Sequence, residues 1–380
     1  MSEKKYLYQE IADDIKNRIK NGEFENGMKL GTESSLCNYY GVSRSTIRKA
    51  LKELESANYV KRLLGKGTYI NSNMKTQEQT NSTKQTIMVI VPVLSRDFIS
   101  DIVTGIHNII SKSNYSADLN ITNNSIEKEK ESVNNAIKNN VSGVIIHPTN
   151  NRFYNEEILK LKNNNIPFIM TARYYEFLDC NYVVPDNYEG GYKITKHLLE
   201  NGHKNIGLIS DKPLIQTSIR DRIKGYEECL SDNGICLNKN NIMNDLKDPC
   251  RLYSAVNREK EYDEKFNKIQ TFIEERNSSL TAIFAVNDFL ARETVAAAQE
   301  LDLKVPQDLS IFGFDNVFLA QKTAPSLTTL NWSQTKVGKY AAENLLKIIK
   351  GNKEKVRKVL PVEVVERNSV KNISKLKATS

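Results

Sequence analysis

At 380 residues the chain exceeds a single small module and implies two or three domains of about 100 to 200 residues each. Hydrophobic residues make up 39% and charged residues 26%, far from the low-hydrophobicity, high-charge composition of disordered chains, so large apolar cores can form. The net charge of +8 arises from 54 Lys plus Arg against 46 Asp plus Glu, and this mixture excludes a uniformly basic nucleic-acid coat.

Residues 1–71 hold 13 Lys or Arg against 9 Asp or Glu, half of the net surplus in under a fifth of the chain. In the same region Leu7, Ile11, Ile15 and Ile19 recur every four residues and predict a first helix that stops near Asn21 and Gly22. Thr32 can cap a second helix containing Leu36, and Gly41 can end it. Ser43 then caps a third, in which Ile47, Ala50, Leu51 and Leu54 face inward and Arg44, Ser45, Arg48, Lys49 and Lys52 face out. Two helices joined at Gly41-Val42 form a helix-turn-helix, and a hairpin over 59–70, with Arg62 on its stem and Gly65-Lys66-Gly67 at its tip, supplies a wing. A basic outer face is common on any surface helix. Short hydrogen-bonding side chains plus Arg in the first turn, beside a wing, favour contact with duplex DNA.

Residues 71–85 contain one apolar side chain, Met74, and read as a linker over 72–85. Beyond it, apolar runs at 87–94, 116–121, 142–147, 166–171, 205–210, 281–286 and 309–314 alternate with helical stretches such as 100–112 and 192–200. That alternation predicts parallel sheets covered by helices, and its restart near 205 predicts two similar lobes with a ligand in the cleft between them, at the carboxyl ends of the strands. The domain boundaries expected are 1–71 for the head, 86–370 for the body and 371–380 for a polar tail.

Catalytic readings find little support. His107, His147, His197 and His203 are scattered without metal-ligand spacing, and neither a nucleophile elbow nor a phosphate loop occurs. The five cysteines form no Cys-x-x-Cys pair, Met1 to Lys20 is charged throughout, and no apolar run approaches the ~20 residues of a membrane span. These features point to the reduced cytoplasm, with no membrane, no metal and no catalytic residues.

The N-terminal motifs Tyr8-Gln9-x-Ile11-Ala12, Lys29-Leu30-x-Thr32-Glu33, Gly41-Val42-Ser43-Arg44-x-Thr46-Ile47-Arg48 and Gly65-x-Gly67-Thr68 resemble the winged-helix readers of the gluconate-repressor (GntR) family. The resemblance implies that Ser43, Arg44, Ser45, Thr46 and Arg48 enter the major groove, with Lys66 and Gly67 near the minor groove. Two positions depart from the family pattern: Gly31 replaces the usual Pro, and Ser34 replaces an Arg expected to touch DNA.

In the body, Asp186-Asn187-x-x-Gly190-Gly191, Arg222-x-x-Gly225-Tyr226, Asn287-Asp288 and Gly313-Phe314-Asp315-Asn316 are similar to the periplasmic-binding-protein-like sensors of the lactose/galactose-repressor family. This likeness implies sugar contacts from Arg222, Asn287 and Asp315. Without it, Arg222 reads equally as a surface charge and Asp315 as a turn cap. Asp97, Phe98 and Arg173 follow strands of the first lobe and open toward the same cleft. Ala172 stands where many relatives have Asp. Trp332, the only tryptophan, is either a plate for the sugar ring or plain core.

A GntR-type head on such a body resembles the arabinose-utilisation repressors of Gram-positive bacteria. The resemblance implies a multidomain protein, an α+β winged helix-turn-helix followed by a two-lobed α/β body with parallel sheets. It further implies a homodimer that binds double-stranded operator DNA and has L-arabinose as effector, with no cofactor. Two alternatives stay open: activation by the sugar, and a sugar-binding module whose basic head takes protein or RNA.

Overall fold

The computed structural model describes residues 6–20, 23–24, 27–57, 59–63, 67–71, 85–94, 97–149, 155–211, 217–246, 258–276 and 278–374. The chain divides into two compact units, Met1–Lys84 and Gln85–Ser380. Gln85, assigned by composition to the linker, begins a strand, and 72–84 lie outside the described residues.

The first unit packs α1 (Leu7–Lys20), α2 (Glu33–Tyr40) and α3 (Arg44–Ser56) against a three-stranded antiparallel sheet. The strands are β1 (Lys29–Gly31), β2 (Val60–Leu63) and β3 (Gly67–Ile70), in the order β1-β3-β2. Ile11, Ala12 and Ile15 of α1 join Leu36, Ile47, Leu51, Leu54, Val60 and Ile70 in its core. A spacing of four drifts by about 40° per step around a 3.6-residue helix, which leaves Leu7, at the start of the expected stripe, exposed and Ile19 half-buried. The expected caps are present. Thr32 and Ser35 form a reciprocal capping box, Gly41 closes α2 in the left-handed conformation, and the Ser43 side chain accepts the Thr46 N–H. The sequence reading missed β1. Its last residue, Gly31, has φ = 134°, whereas proline is confined near −65°, so the family's usual proline does not fit this backbone.

The second unit holds two parallel sheets. The first lobe orders its six strands β14-β8-β7-β6-β4-β5, where β4 is Gln85–Val91, β5 Tyr115–Ile121, β6 Gly143–Ile146, β7 Phe168–Thr171, β8 Asn181–Pro185 and β14 Arg357–Leu360. The second lobe orders four as β10-β9-β11-β12, namely Ile242–Leu246, Ile206–Asp211, Ala282–Ala285 and Ser310–Phe312. An antiparallel ribbon of β13 (Thr329–Asn331) and β15 (Glu363–Val365) lies alongside the second lobe. The helices α4 (Asp97–Ile110), α5 (Ile126–Lys138), α6 (Glu157–Asn163), α7 (Asn187–Glu200), α8 (Thr217–Asp232), α9 (Arg258–Glu274), α10 (Asp288–Glu300), α11 (Phe318–Lys322) and α12 (Gln334–Ile349) pack around the sheets. Two expected helices start earlier than the sequence suggested, at Asp97 rather than Ser100 and at Asn187 rather than Tyr192, the latter because the Asp186 side chain caps it through the Glu189 N–H. Strands β8, β10, β13, β14 and β15 were not foreseen.

The chain crosses between the lobes three times, from β8 into α7, from β13 into α12 and from β14 into β15. Each lobe also contains one close helix crossing at paired glycines. A Cβ on Gly105 of α4 would lie 2.1 Å from the Thr335 carbonyl oxygen, and one on Gly338 of α12 would lie 2.0 Å from that of Ile102. In the second lobe the pair is Gly191 of α7, 2.0 Å from the Arg222 carbonyl oxygen, and Gly225 of α8, 2.1 Å from that of Tyr188. The expected tail begins as packed structure, with the Lys371 carbonyl on His203 Nε2 (2.9 Å) and the Ile373 N–H on the Asn201 carbonyl (2.8 Å). Residues 375–380 lie outside the described set.

Candidate functional sites in the head and in the cleft

In the head, the amphipathic pattern of α3 buries Ile47, Ala50, Leu51 and Leu54 and leaves Arg44, Ser45, Arg48 and Lys49 exposed at its start. Ser43 Oγ lies 2.8 Å from Ser45 Oγ and 2.9 Å from Thr46 Oγ1, so three hydroxyls cluster at the helix N-terminus, where backbone N–H groups and the helix dipole favour an anion. The arginines are held in place. Arg48 Nε donates to Glu33 Oε2 (2.8 Å), and Arg62 on β2 donates to the other oxygen of Glu33 (2.5 Å). The hydrogen bond from Arg48 is the main reason that Glu33 lies below the usual carboxylate range, although burial opposes it. Ser34 is not idle, since its Oγ accepts from Arg44 Nη2 (3.3 Å). Gly67, at φ = 113°, begins β3; Lys66, assigned to the wing tip, lies outside the described residues.

Glu33 therefore joins α2, α3 and the wing and aims two guanidinium groups without burying them. Replacing Arg44 or Arg48 by Ala is expected to cost about 1 to 3 kcal/mol of operator affinity where the side chain makes a bidentate base contact, with effector affinity unchanged. Gel shifts at fixed salt on specific and scrambled duplexes measure this; equal affinity for both variants and the unsubstituted protein places the reading surface elsewhere.

In the body, a cavity opens where the carboxyl ends of both sheets meet. Phe98, His147, Ala172 and Arg173 line it from the first lobe. Asp211, Ser218, Arg222, Asn287 and Asp315 line it from the second, with Trp332 from a crossing segment. Arg222 is buried and fully oriented by the protein. Its Nε donates to Asn187 Oδ1 (2.9 Å), its Nη1 to the Val286 carbonyl (2.6 Å) and its Nη2 to Asp315 Oδ1 (3.2 Å), while its guanidinium carbon lies 3.4 Å from the Phe314 ring centroid. Burial lowers its pKa, and Asp315 opposes the shift. The guanidinium has five N–H bonds, so these three contacts leave two for other acceptors.

Asp315 Oδ1 also accepts from the Trp332 indole Nε1 (3.0 Å), and Trp332 leans on Phe98 with ring centroids 6.0 Å apart. Asn287 caps α10 through its Oδ1 and donates from Nδ2 to Asp211 Oδ2 (3.3 Å). Behind Arg173, the buried Glu129 accepts the Thr149 N–H (2.6 Å) and the Asn155 amide (3.2 Å). Burial raises the Glu129 pKa, and those donors together with the Arg173 charge restrain it. Ala172 stands at φ = 62°, a conformation that Asp tolerates better than Ala.

Six of the seven residues assigned to the cleft from sequence line it, and Asp97 does not. The loop expected around Asp97 and Phe98 is the first turn of α4, so consecutive side chains diverge by about 100°. Phe98 turns into the cavity, and the Asp97 carboxylate accepts the backbone N–H of Phe318 in the second lobe (3.1 Å). His147, Asp211 and Ser218 were not singled out. The strand-end rule that selected Arg173 and Asp315 also reaches His147 and Asp211, because each stands at the carboxyl end of a strand run.

A basic winged helix-turn-helix and a ligand cleft between two parallel-sheet lobes define a transcription regulator controlled by a small molecule, not an enzyme. Residues 7–70 match the gntR family of bacterial regulatory proteins, and 195–370 match the periplasmic binding protein-like domain. The chain is 30% identical to the arabinose metabolism transcriptional repressor of Halalkalibacterium halodurans, over 90% of this chain and 89% of that one. It is 29% identical to the Geobacillus stearothermophilus protein of the same name, over 96% and 98%. The crystal structure of a LacI family transcriptional regulator from Enterococcus faecium with bound ribose, 26% identical, superposes with a TM-score of 0.62 over 76% of this chain and all of that one. The chain belongs to the family of transcriptional repressors of sugar metabolism that carry a gntR-type head on a periplasmic-binding-protein-like sensor.

Proposed function

We propose that this repressor acts in the cytoplasm as a homodimer on a pseudo-palindromic operator and releases it when L-arabinose enters the cleft, with no further cofactor. The observation that carries the choice of a neutral sugar is the charge balance of the cavity. Two guanidiniums, Arg173 and Arg222, and two carboxylates, Asp211 and Asp315, line it together with the aromatic rings of Phe98 and Trp332. A phosphorylated or carboxylated effector would leave that balance negative in a poorly solvated space, whereas a polyol uses both donors and acceptors and lays its apolar face on the rings. The names of the two arabinose repressors support a pentose, and the relative crystallised with ribose supports a sugar of that size.

A thermal-shift panel of pentoses, hexoses and sugar phosphates tests this reading. At 100 times its dissociation constant an effector adds about 2.7 kcal/mol to native stability. L-arabinose is expected to raise the melting temperature and, at the same concentration, to free operator DNA in a gel shift. A shift with a sugar phosphate and none with L-arabinose overturns the assignment.

A further inference from the structure

The turn that presents Asp315 is held in an unusual backbone, and the residue that holds it is Asp288. Asp315 and Asn316 have φ of 114° and 51°, a left-handed pair that residues other than glycine seldom adopt in succession. Such a turn persists only where its surroundings over-determine it. Here the Asp315 N–H donates to the Leu330 carbonyl (2.9 Å), Gln334 Nε2 to the Asp315 carbonyl, and Arg367 Nη2 to Asn316 Oδ1 (2.6 Å). Asp288, fully buried at the start of α10, completes the set. Its Oδ2 accepts the Val317 N–H (3.0 Å), and its Oδ1 lies 2.5 Å from Thr329 Oγ1, which in turn accepts the Asn316 N–H (3.3 Å). Gly313 leaves the room: a Cβ there would lie 2.2 Å from Asp288 Oδ1.

We propose that Asp288 is a positioning residue that fixes the 315–317 turn and thereby aims the Asp315 carboxylate at Arg222, Trp332 and the effector. The effector part of this inference rests on the sugar reading given above; the turn itself does not. Burial, and then the neighbouring Asp315 charge, pushes the Asp288 carboxyl well above the usual range, with the Thr329 and Val317 contacts and Arg367 opposing. Asp288 accepts through both oxygens, Oδ2 from the Val317 N–H and Oδ1 from the Thr329 hydroxyl. An amide keeps its oxygen toward Val317 and sets its NH2 against Thr329 Oγ1, which accepts once the hydroxyl rotates. An alanine leaves both groups unpaired.

Trp332 supplies a readout that needs no sugar, because the only indole of the chain donates to the carboxylate in question. The experiment compares Asp288→Asn, Asp288→Ala and Thr329→Val in the full chain. Asp288→Asn is expected to keep the Trp332 emission maximum and to bind L-arabinose within about threefold of the unsubstituted protein. Asp288→Ala is expected to shift the emission and to weaken sugar binding at least tenfold, while operator affinity without sugar is retained. Thr329→Val, which keeps volume and removes one hydroxyl, moves both readouts in the same direction and serves where Asp288→Ala does not fold.

Unchanged emission and affinity in Thr329→Val, or an Asp288→Asn variant as impaired as Asp288→Ala, overturns the proposal. If the unsubstituted protein binds no sugar of the panel but its emission still follows this pattern, the turn assignment stands and the sugar reading falls.

Discussion

Arg222→Ala is expected to leave the repressor bound to its operator at effector concentrations that free the unsubstituted protein. Removing a charged donor that faces a buried ligand typically costs about 1.5 to 3 kcal/mol, a tenfold to hundredfold loss of affinity. The same substitution removes three protein hydrogen bonds and breaks the buried ion pair with Asp315. Breaking a buried pair from one side costs about 3 to 5 kcal/mol, which is survivable for a domain with about 5 to 15 kcal/mol of stability but lowers its melting temperature by about 6 to 20 °C. Lysine is a poor substitute, because the contacts to Asn187, Val286 and Asp315 use the planar fork and not merely its charge. Calorimetric titration with L-arabinose beside an operator gel shift checks the expectation. Normal sugar affinity removes Arg222 from the effector site, and lost operator binding makes its role one of holding the fold.

Gly225→Ala should be nearly as costly, although it adds one methyl group and no charge. The new Cβ would lie 2.1 Å from the Tyr188 carbonyl oxygen and 2.7 Å from the Tyr192 nitrogen, so backbone rather than a yielding side chain stands in its way. Helices α7 and α8 must separate, and overpacking of this kind costs about 1 to 3 kcal/mol, occasionally more. At roughly 2 to 4 °C per kcal/mol for a unit of this size, the melting temperature should fall by about 6 to 12 °C at the upper end of that range. The site should suffer as well, because Asn187 starts α7, Arg222 lies on α8, and the 2.9 Å bond between them spans the same helix pair. A scanning-calorimetry trace identical to that of the unsubstituted protein would show that the two helices do not pack this closely.

The parts of the fold that were legible in the sequence are those encoded by short-range chemistry. Thr32, Gly41 and Ser43 act on residues within four positions of themselves, and the turns they mark are where the reading placed them. Apolar runs marked the buried strands β4, β6, β7, β9 and β11 because a strand covered on both faces has no polar alternation to confuse. Of the four edge strands, β5 and β12 fell on expected apolar runs, whereas β10 and β14 escaped notice. In β14 only Leu360 is buried, and β10 alternates little, so neither resembles an interior run. The cleft was legible through strand ends and family positions, which located Arg173, Arg222, Asn287 and Asp315, while Trp332 stood out only as the single tryptophan. Asp97 was misplaced because helix α4 starts three residues earlier than its apolar pattern suggests. Asp288 was invisible as a partner of Asp315, since its Thr329 and Val317 contacts are 41 and 29 residues away in sequence.

The three passages between the lobes lie side by side. Leu360 of β14 pairs with Pro185 of β8, and Glu363 of β15 pairs with Asn331 of β13, so each outgoing strand has a neighbour at the point of passage. A body joined at one strand can swivel and shear freely, whereas one joined by a row of three has a single soft coordinate, folding about the row like a page about its binding. Twisting or sliding would stretch at least one covalent segment. An effector of any size then has only an angle to set, and sugars that differ by one carbon are ranked along one axis instead of scattering the lobes among unrelated poses. Graded sugars should therefore yield a single series of lobe angles in solution scattering, ordered by how far each one parts the same two walls.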